Sequence, residues 1–134
     1  MQNAIISAAD DAEANPTAGG IAANHHLRRA EDYIRSHLRE EFSLLDLIEA
    51  VGTRPSTMLR TFNAHYGIPP MQYVKRLRLE AVRRSLLAAD PQNGTVGRVA
   101  SEYGFRQLGR FSAEYRRVFG ELPSVTLRHH QHRL

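Results

Sequence analysis

The same pattern is written twice in this chain. The first copy runs Leu47-Ile48-Glu49-Ala50-Val51-Gly52 and continues with Phe62, Tyr66, Gly67 and Pro70. The second runs Val99-Ala100-Ser101-Glu102-Tyr103-Gly104 and continues with Tyr115, Phe119, Gly120 and Pro123. In each, the aromatics stand four apart, glycine follows the second, and proline comes three later. The offset between copies is 52 up to the turn glycine and 53 beyond it, so the second turn holds one extra residue. A short apolar helix, a glycine turn, a longer helix and a glycine stop is the grammar of a helix-turn-helix. Two such units in one small basic chain point to duplex DNA as the partner.

With 134 residues the chain is large enough to bury a core without covalent staples. The absence of cysteine excludes disulfides, Cys-ligated zinc and a thiol nucleophile. The net charge is +4. Residues 1–24 hold three acids (Asp10, Asp11, Glu13) and no base, so the rest carries +7. Lys75 is the one lysine; the other basic residues are arginines, whose guanidinium fork suits phosphate and base edges. A field of this sign favours a polyanionic partner. No apolar run approaches the roughly 18 residues of a spanning helix, and Met1-Gln2-Asn3-Ala4-Ile5-Ile6 lacks the basic start of a secretory signal. A cytoplasmic, nucleoid-associated protein without a membrane partner is expected.

The expected fold is all-α: about seven helices, arranged as two homeodomain-like helix-turn-helix subdomains joined by a long linker helix. Residues 1–24, with Pro16 and Gly19-Gly20, show no apolar periodicity and read as a flexible tail or severed linker. The domain is expected over 25–128, with a first unit at 25–68, a linker helix at 70–88 and a second unit at 95–128. A polar tail, 129–134, follows. Leu27, Ala30, Ile34 and Leu38 mark the inward face of a first helix over about 25–39. Ser43 with Asp46 resembles a capping box, and Pro55 suits a first helical position. Thr95 opens the fifth helix. In the linker helix, Val74, Leu77, Ala81 and Leu86 are placed inward, with Arg76, Arg83 and Arg84 outward.

At about 100° per residue, Met58, Phe62 and Tyr66 share one face of the third helix, and Ser56, Leu59, Arg60 and Asn63 share the other. The sixth helix repeats this, with Phe111, Tyr115 and Phe119 inward and Gly109, Ser112, Ala113 and Arg116 outward. A face of small and polar residues with an arginine is what a major groove admits. Arg60 is expected to fork onto guanine O6 and N7, and Leu59 or Ala113 to meet a thymine methyl. Arg54 and Arg106, just ahead of the two helices, stand where a small capping residue is preferred. Both are therefore candidates for phosphate contact, joined by Arg116 and Arg117, with Arg110 and Arg98 nearby.

Other chemistries find little support. A P-loop needs a Gly-Lys pair, and Lys75 lies between Val74 and Arg76. Glu40-Glu41 have no neighbouring base and are expected to be solvated, so no enzyme and no catalytic residue is expected. His25-His26 and His129-His130-Gln131-His132 form clusters of a kind that can hold metal, but no acid stands at ligand spacing, so no metal or cofactor is expected. The alternative function is a helical protein-interaction module without specific DNA binding.

Ser43-Leu44-Leu45-Asp46-Leu47, the run Tyr73-Val74-Lys75-Arg76-Leu77-Arg78-Leu79-Glu80-Ala81, and Gly104-Phe105 followed by Phe111, Tyr115-Arg116, Gly120 and Pro123 resemble the C-terminal DNA-binding domain of the AraC/XylS family of bacterial transcription regulators. The resemblance covers about residues 25–128. It implies a monomeric reader of an asymmetric operator, with two recognition helices in successive major grooves about 34 Å apart. Base reading then maps to Ser56, Leu59, Arg60 and Asn63 in the first helix, and to Gly109, Arg110, Ser112, Ala113 and Arg116 in the second. It also implies a transcription regulator, expected to be an activator, that touches RNA polymerase. This chain departs from the family pattern at Leu59, where a polar reader is common, and at Arg54 and Arg106, where Ser or Thr is common. Most family members also carry a separate N-terminal sensing and dimerisation domain, where this sequence has about 24 linker-like residues. The chain is then either the reader cut from a longer regulator, with dimerisation expected of that parent, or a free-standing short member; the low-complexity start favours the first.

Overall fold

The computed structural model describes residues 16–90, 92 and 95–133. Among them lie seven helices and no strand: α1 (Pro16–Ser36), α2 (Leu44–Val51), α3 (Pro55–Tyr66), α4 (Pro70–Ala88), α5 (Val96–Glu102), α6 (Leu108–Phe119) and α7 (Pro123–Arg133). The chain divides into two compact units, one comprising residues up to His37 with Phe42–Tyr73, the other Leu38–Glu41 with Val74–Leu134.

Three element ends differ from the sequence expectation. Helix α1 opens at Pro16, so the expected tail is helical over 16–24; its residues 1–15 lie outside the described residues. The packed turns around Leu27, Ala30 and Ile34 form the costly nucleus, and extension through Thr17-Ala18 and Ile21-Ala22-Ala23 adds one hydrogen bond per residue with good helix formers among them. Periodicity is blind to such an extension, because Thr17-Ala18-Gly19-Gly20-Ile21-Ala22-Ala23 carries no alternation of apolar and polar residues at helical spacing. At the other end α1 stops at Ser36, not near 39. The expected polar tail also departs, since α7 runs on to Arg133.

In the first unit α1 packs on α2 and α3, and α2 on α3. Leu27, Ala30, Ile34, Leu47, Ile48, Val51, Met58, Phe62 and Tyr73 are buried. Burying each large side chain contributes about 1.5–3 kcal/mol. Helix α2 begins with a full capping box: Asp46 N–H donates to Ser43 Oγ at 3.1 Å, and Ser43 N–H donates to Asp46 Oδ2 at 2.9 Å. Its far end is closed by Gly52 at φ 79°, whose N–H donates to the Ile48 carbonyl; the left-handed conformation is open to glycine at no steric cost. Arg29 donates to the nearby Ala50 carbonyl at 3.3 Å, satisfying one of the orphan acceptors at the helix end. An aromatic group of Phe62, Tyr66 and Tyr73 completes the core, with the two tyrosine rings stacked 4.2 Å apart.

The second unit is built around Leu79, Val82, Leu86, Val99, Ala100, Tyr103, Phe111 and Tyr115. Leu38 packs against this core, where the sequence places it on the first helix. Arg78 explains the change: from α4 it donates to the carbonyls of Leu38 (3.1 Å) and Glu40 (2.6 Å). Arg39 donates to the Tyr103 hydroxyl at 3.4 Å and lies over its ring. Glu40 and Glu41 are exposed. Thr95 caps α5, accepting from Arg98 N–H at 3.1 Å. The turn that follows bends at Gly104 (φ 87°). The extra residue in this turn is accounted for by Phe105, whose ring packs 4.8 Å from Phe111.

Helix α7 is fixed to α6 by a buried polar chain. Tyr115 O–H donates to Thr126 Oγ1 at 2.7 Å, and Thr126 O–H donates to the Glu121 carboxylate at 2.5 Å. Burial raises the Tyr115 pKa above its ordinary value, keeping the hydroxyl a donor. Thr126→Val keeps the shape but removes the acceptor for a buried hydroxyl. It is expected to lower stability by about 1–3 kcal/mol, read as a lower urea midpoint with an unchanged slope; an unchanged midpoint would show that the chain of hydrogen bonds holds nothing together.

Candidate nucleic-acid interface

Helices α3 and α6 each hold 12 residues and correspond residue for residue at an offset of 53. The inward sets behave as expected: Met58, Phe62, Phe111 and Tyr115 are buried, while Tyr66 and Phe119, in the last turn of each helix, are only partly covered. Thr61 is buried too, on the flank of the face.

The outward face of α3 carries Ser56, Leu59, Arg60 and Asn63, all exposed. Leu59 keeps 42% of its surface in water, unusual for a large apolar side chain on a short helix. Arg54 stands at the N-cap position in extended conformation, and its side chain makes no capping hydrogen bond. The guanidinium is exposed at the end of a helix whose leading N–H groups favour an anion.

The outward face of α6 carries Gly109, Ala113 and Arg116 at the positions matching Ser56, Arg60 and Asn63, all exposed. Ser112, matching Leu59, is half-buried, so it sits on the flank of this face rather than at its centre. Arg110 is exposed. The arginine just ahead of the helix requires a correction. The N-cap of α6 is Gln107, again without a side-chain capping bond, and Arg106 lies one residue further out, 3.6 Å from Glu41 with both groups well exposed. Counting the offset of 53 from Arg54 arrives at Gln107; the sequence pairing of Arg54 with Arg106 ignores the extra turn residue. Arg117 lies 3.9 Å from Glu114, which also pairs with Lys75 of α4.

An exposed apolar residue of α6 escaped the sequence reading. Leu108 opens α6 with 48% of its surface in water, resting against Gly97, where an added Cβ would stand 3.4 Å from Leu108 Cδ1. The only signal for it is its place one residue ahead of Gly109, since a leucine at a helix start normally reads as core.

Residues 47–129 match the family described as Helix-turn-helix domain. The chain is 35% identical over 113 residues to the XylDLEGF operon transcriptional activator 2 of Pseudomonas putida, covering 84% of this chain and 72% of that protein. It is also 35% identical over 105 residues to the XylDLEGF operon transcriptional activator of the same organism, covering 78% of this chain but only 33% of that protein. The solved structure of a probable AraC family transcriptional regulator from Rhodopseudomonas palustris CGA009 superposes with a TM-score of 0.70 at 31% identity, over 78% of this chain and 96% of that one. This chain belongs to the AraC/XylS family of transcription regulators.

As an AraC/XylS domain, the chain has its two helix-turn-helix units in the two compact units described above. The two outward helix faces of this AraC/XylS domain differ in chemistry. Where α3 offers a guanidinium at Arg60, α6 offers the methyl of Ala113; where α3 offers the amide of Asn63, α6 offers Arg116. Among the described residues no group of three or more His, Asp or Glu side chains could hold a metal ion, and no helix is long and apolar enough to cross a membrane.

Proposed function

We propose that this AraC/XylS domain binds duplex DNA sequence-specifically, laying the outward faces of α3 and α6 into successive major grooves of an asymmetric operator. The observation that carries the reading is the duplication itself: two helices of equal length, each with its aromatics buried or half-buried on one side and most of its small, polar and basic residues exposed on the other. In the first unit Ser56, Leu59, Arg60 and Asn63 are assigned to base reading. In the second, Gly109, Arg110, Ser112 and Ala113 take that role. Arg54, Arg106, Arg116 and Arg117 are assigned to phosphates. Arg106 must then give up an exposed pair with Glu41, which costs little, and Arg117 a 3.9 Å contact to the half-buried Glu114.

The relatives named activators support an activating role, in which the bound domain touches RNA polymerase; the domain acts as a monomer, in the cytoplasm on the nucleoid. The deciding experiment is selection of bound duplexes from a random library. Two short, dissimilar motifs about one helical turn apart are expected. A single motif would confine base reading to one helix, and no enrichment would favour an interaction module that does not read DNA.

Arg116→Ala is expected to weaken binding to all duplexes alike and to lower the slope of log affinity against log salt by about 1. Salt titrations on a selected and a scrambled duplex check this. A loss confined to the selected duplex would make Arg116 a base reader instead.

A further inference from the structure

Away from the reading face of α6, the second unit holds an open cleft of about 280 Å³ lined by Glu80, Arg83 and Arg84 of α4 and by Phe119 of α6. Its floor is the half-buried Phe119 ring, with the Arg83 guanidinium 5.4 Å over the ring centroid. Arg83 is exposed, and its guanidinium lies over an aromatic ring. Arg84 stands exposed beside it. The lining acid, Glu80, is already engaged by Arg76 at 3.4 Å, so the cleft presents net positive charge around an apolar floor.

We propose that this cleft docks an acidic protein segment carrying an apolar or aromatic side chain between its carboxylates. The apolar residue would rest on Phe119 while the carboxylates pair with Arg83 and Arg84, the guanidinium fork matching a carboxylate with two parallel hydrogen bonds. Charge complementarity alone would also admit a phosphate, but a phosphate makes no use of an aromatic floor. Position argues the same way. Phe119 shares the inward side of α6 with Phe111 and Tyr115, away from the outward face assigned to DNA, so a duplex on that face leaves the cleft open. Simultaneous occupancy rests on the DNA-reading assignment; docking of the segment does not.

The test uses the full chain and a short fluorescein-labelled peptide alternating Asp and Glu with Leu and Phe, with an Asn/Gln counterpart as control. The acidic peptide is expected to raise anisotropy in a salt-sensitive manner and to shift the amide resonances of Arg83, Arg84 and Phe119. The neutral peptide is expected to bind much more weakly. Arg84→Glu reverses an exposed charge without touching the core. It is expected to weaken peptide binding about tenfold while leaving affinity for a selected duplex within about twofold. Failure of the acidic peptide to bind, equal binding by the neutral one, or shifts elsewhere would overturn the proposal. So would an Arg84→Glu loss of duplex affinity, which would make the cleft a phosphate contact. Duplex affinity is measured separately throughout, so failure of DNA reading and failure of peptide docking are told apart.

Discussion

Gly109→Leu is expected to remove most specific DNA binding while leaving the fold intact or slightly firmer. Gly109 is the second residue of α6, and a Cβ built on it meets nothing within 4 Å. A leucine side chain therefore has room in the folded domain, and exchanging glycine for a good helix former stabilises a helix by up to about 1 kcal/mol. With α6 in a major groove as proposed, the duplex takes up the same space. A leucine side chain at the leading turn holds the helix off the base edges, and the neighbouring contacts at Arg110 and Ala113 are lost with it. Each good base contact is worth about 1–3 kcal/mol of discrimination, so a loss of about 3 kcal/mol or more, over a hundredfold, is expected. Anisotropy with a selected duplex measures it, and urea unfolding confirms that stability has not fallen. Tight, selective binding by the folded variant would mean that the first turn of α6 does not face DNA.

The second large effect is expected at Arg60. Its guanidinium projects from the middle of the exposed face of α3, four residues after Ser56 and three before Asn63, and its counterpart on α6 is the methyl of Ala113. Only the first unit can therefore make a bidentate contact to guanine from this position. Arg60→Ala is expected to lower affinity for the selected operator by about 1–3 kcal/mol and to relax preference at one base pair. A repeat of the library selection with the variant is the check: one position of one motif should lose its information, and the other motif should be untouched. An unchanged motif would remove Arg60 from base reading.

Much of this architecture is legible in the order of residues because it is local. The capping box at Ser43 and Asp46, the cap at Thr95, and the left-handed glycines at 52 and 104 follow from hydrogen bonds and backbone sterics within a few positions. The inward aromatics of α3 and α6 follow from a period of 3.6 residues, and duplication doubles the signal. The outward faces follow by subtraction, which is why Ser56, Leu59, Arg60, Asn63, Gly109, Arg110 and Ala113 are exposed as expected.

What the sequence could not settle depends on neighbours far along the chain. Leu38 has the spacing of a helix residue, yet the chain leaves the helix before it, because Arg78, forty positions on, captures the carbonyls on either side of Arg39. Thr126 is a small polar residue with nothing to mark it for burial; it is buried beside the Tyr115 hydroxyl, which is shut off from water and needs an acceptor there, and its own hydroxyl donates to Glu121. Leu108 is exposed because Gly97 offers it a shallow rest and no pocket. Arg106 is displaced from the cap because Phe105 is drawn into the core, which lengthens the turn by one residue. Helix type, caps and facing thus came from the chain by itself, since they are governed by torsions and period. Packing of the fold decided which polar group is buried, where a helix is abandoned and which apolar side chain stays in water, since those depend on what the rest of the chain brings alongside.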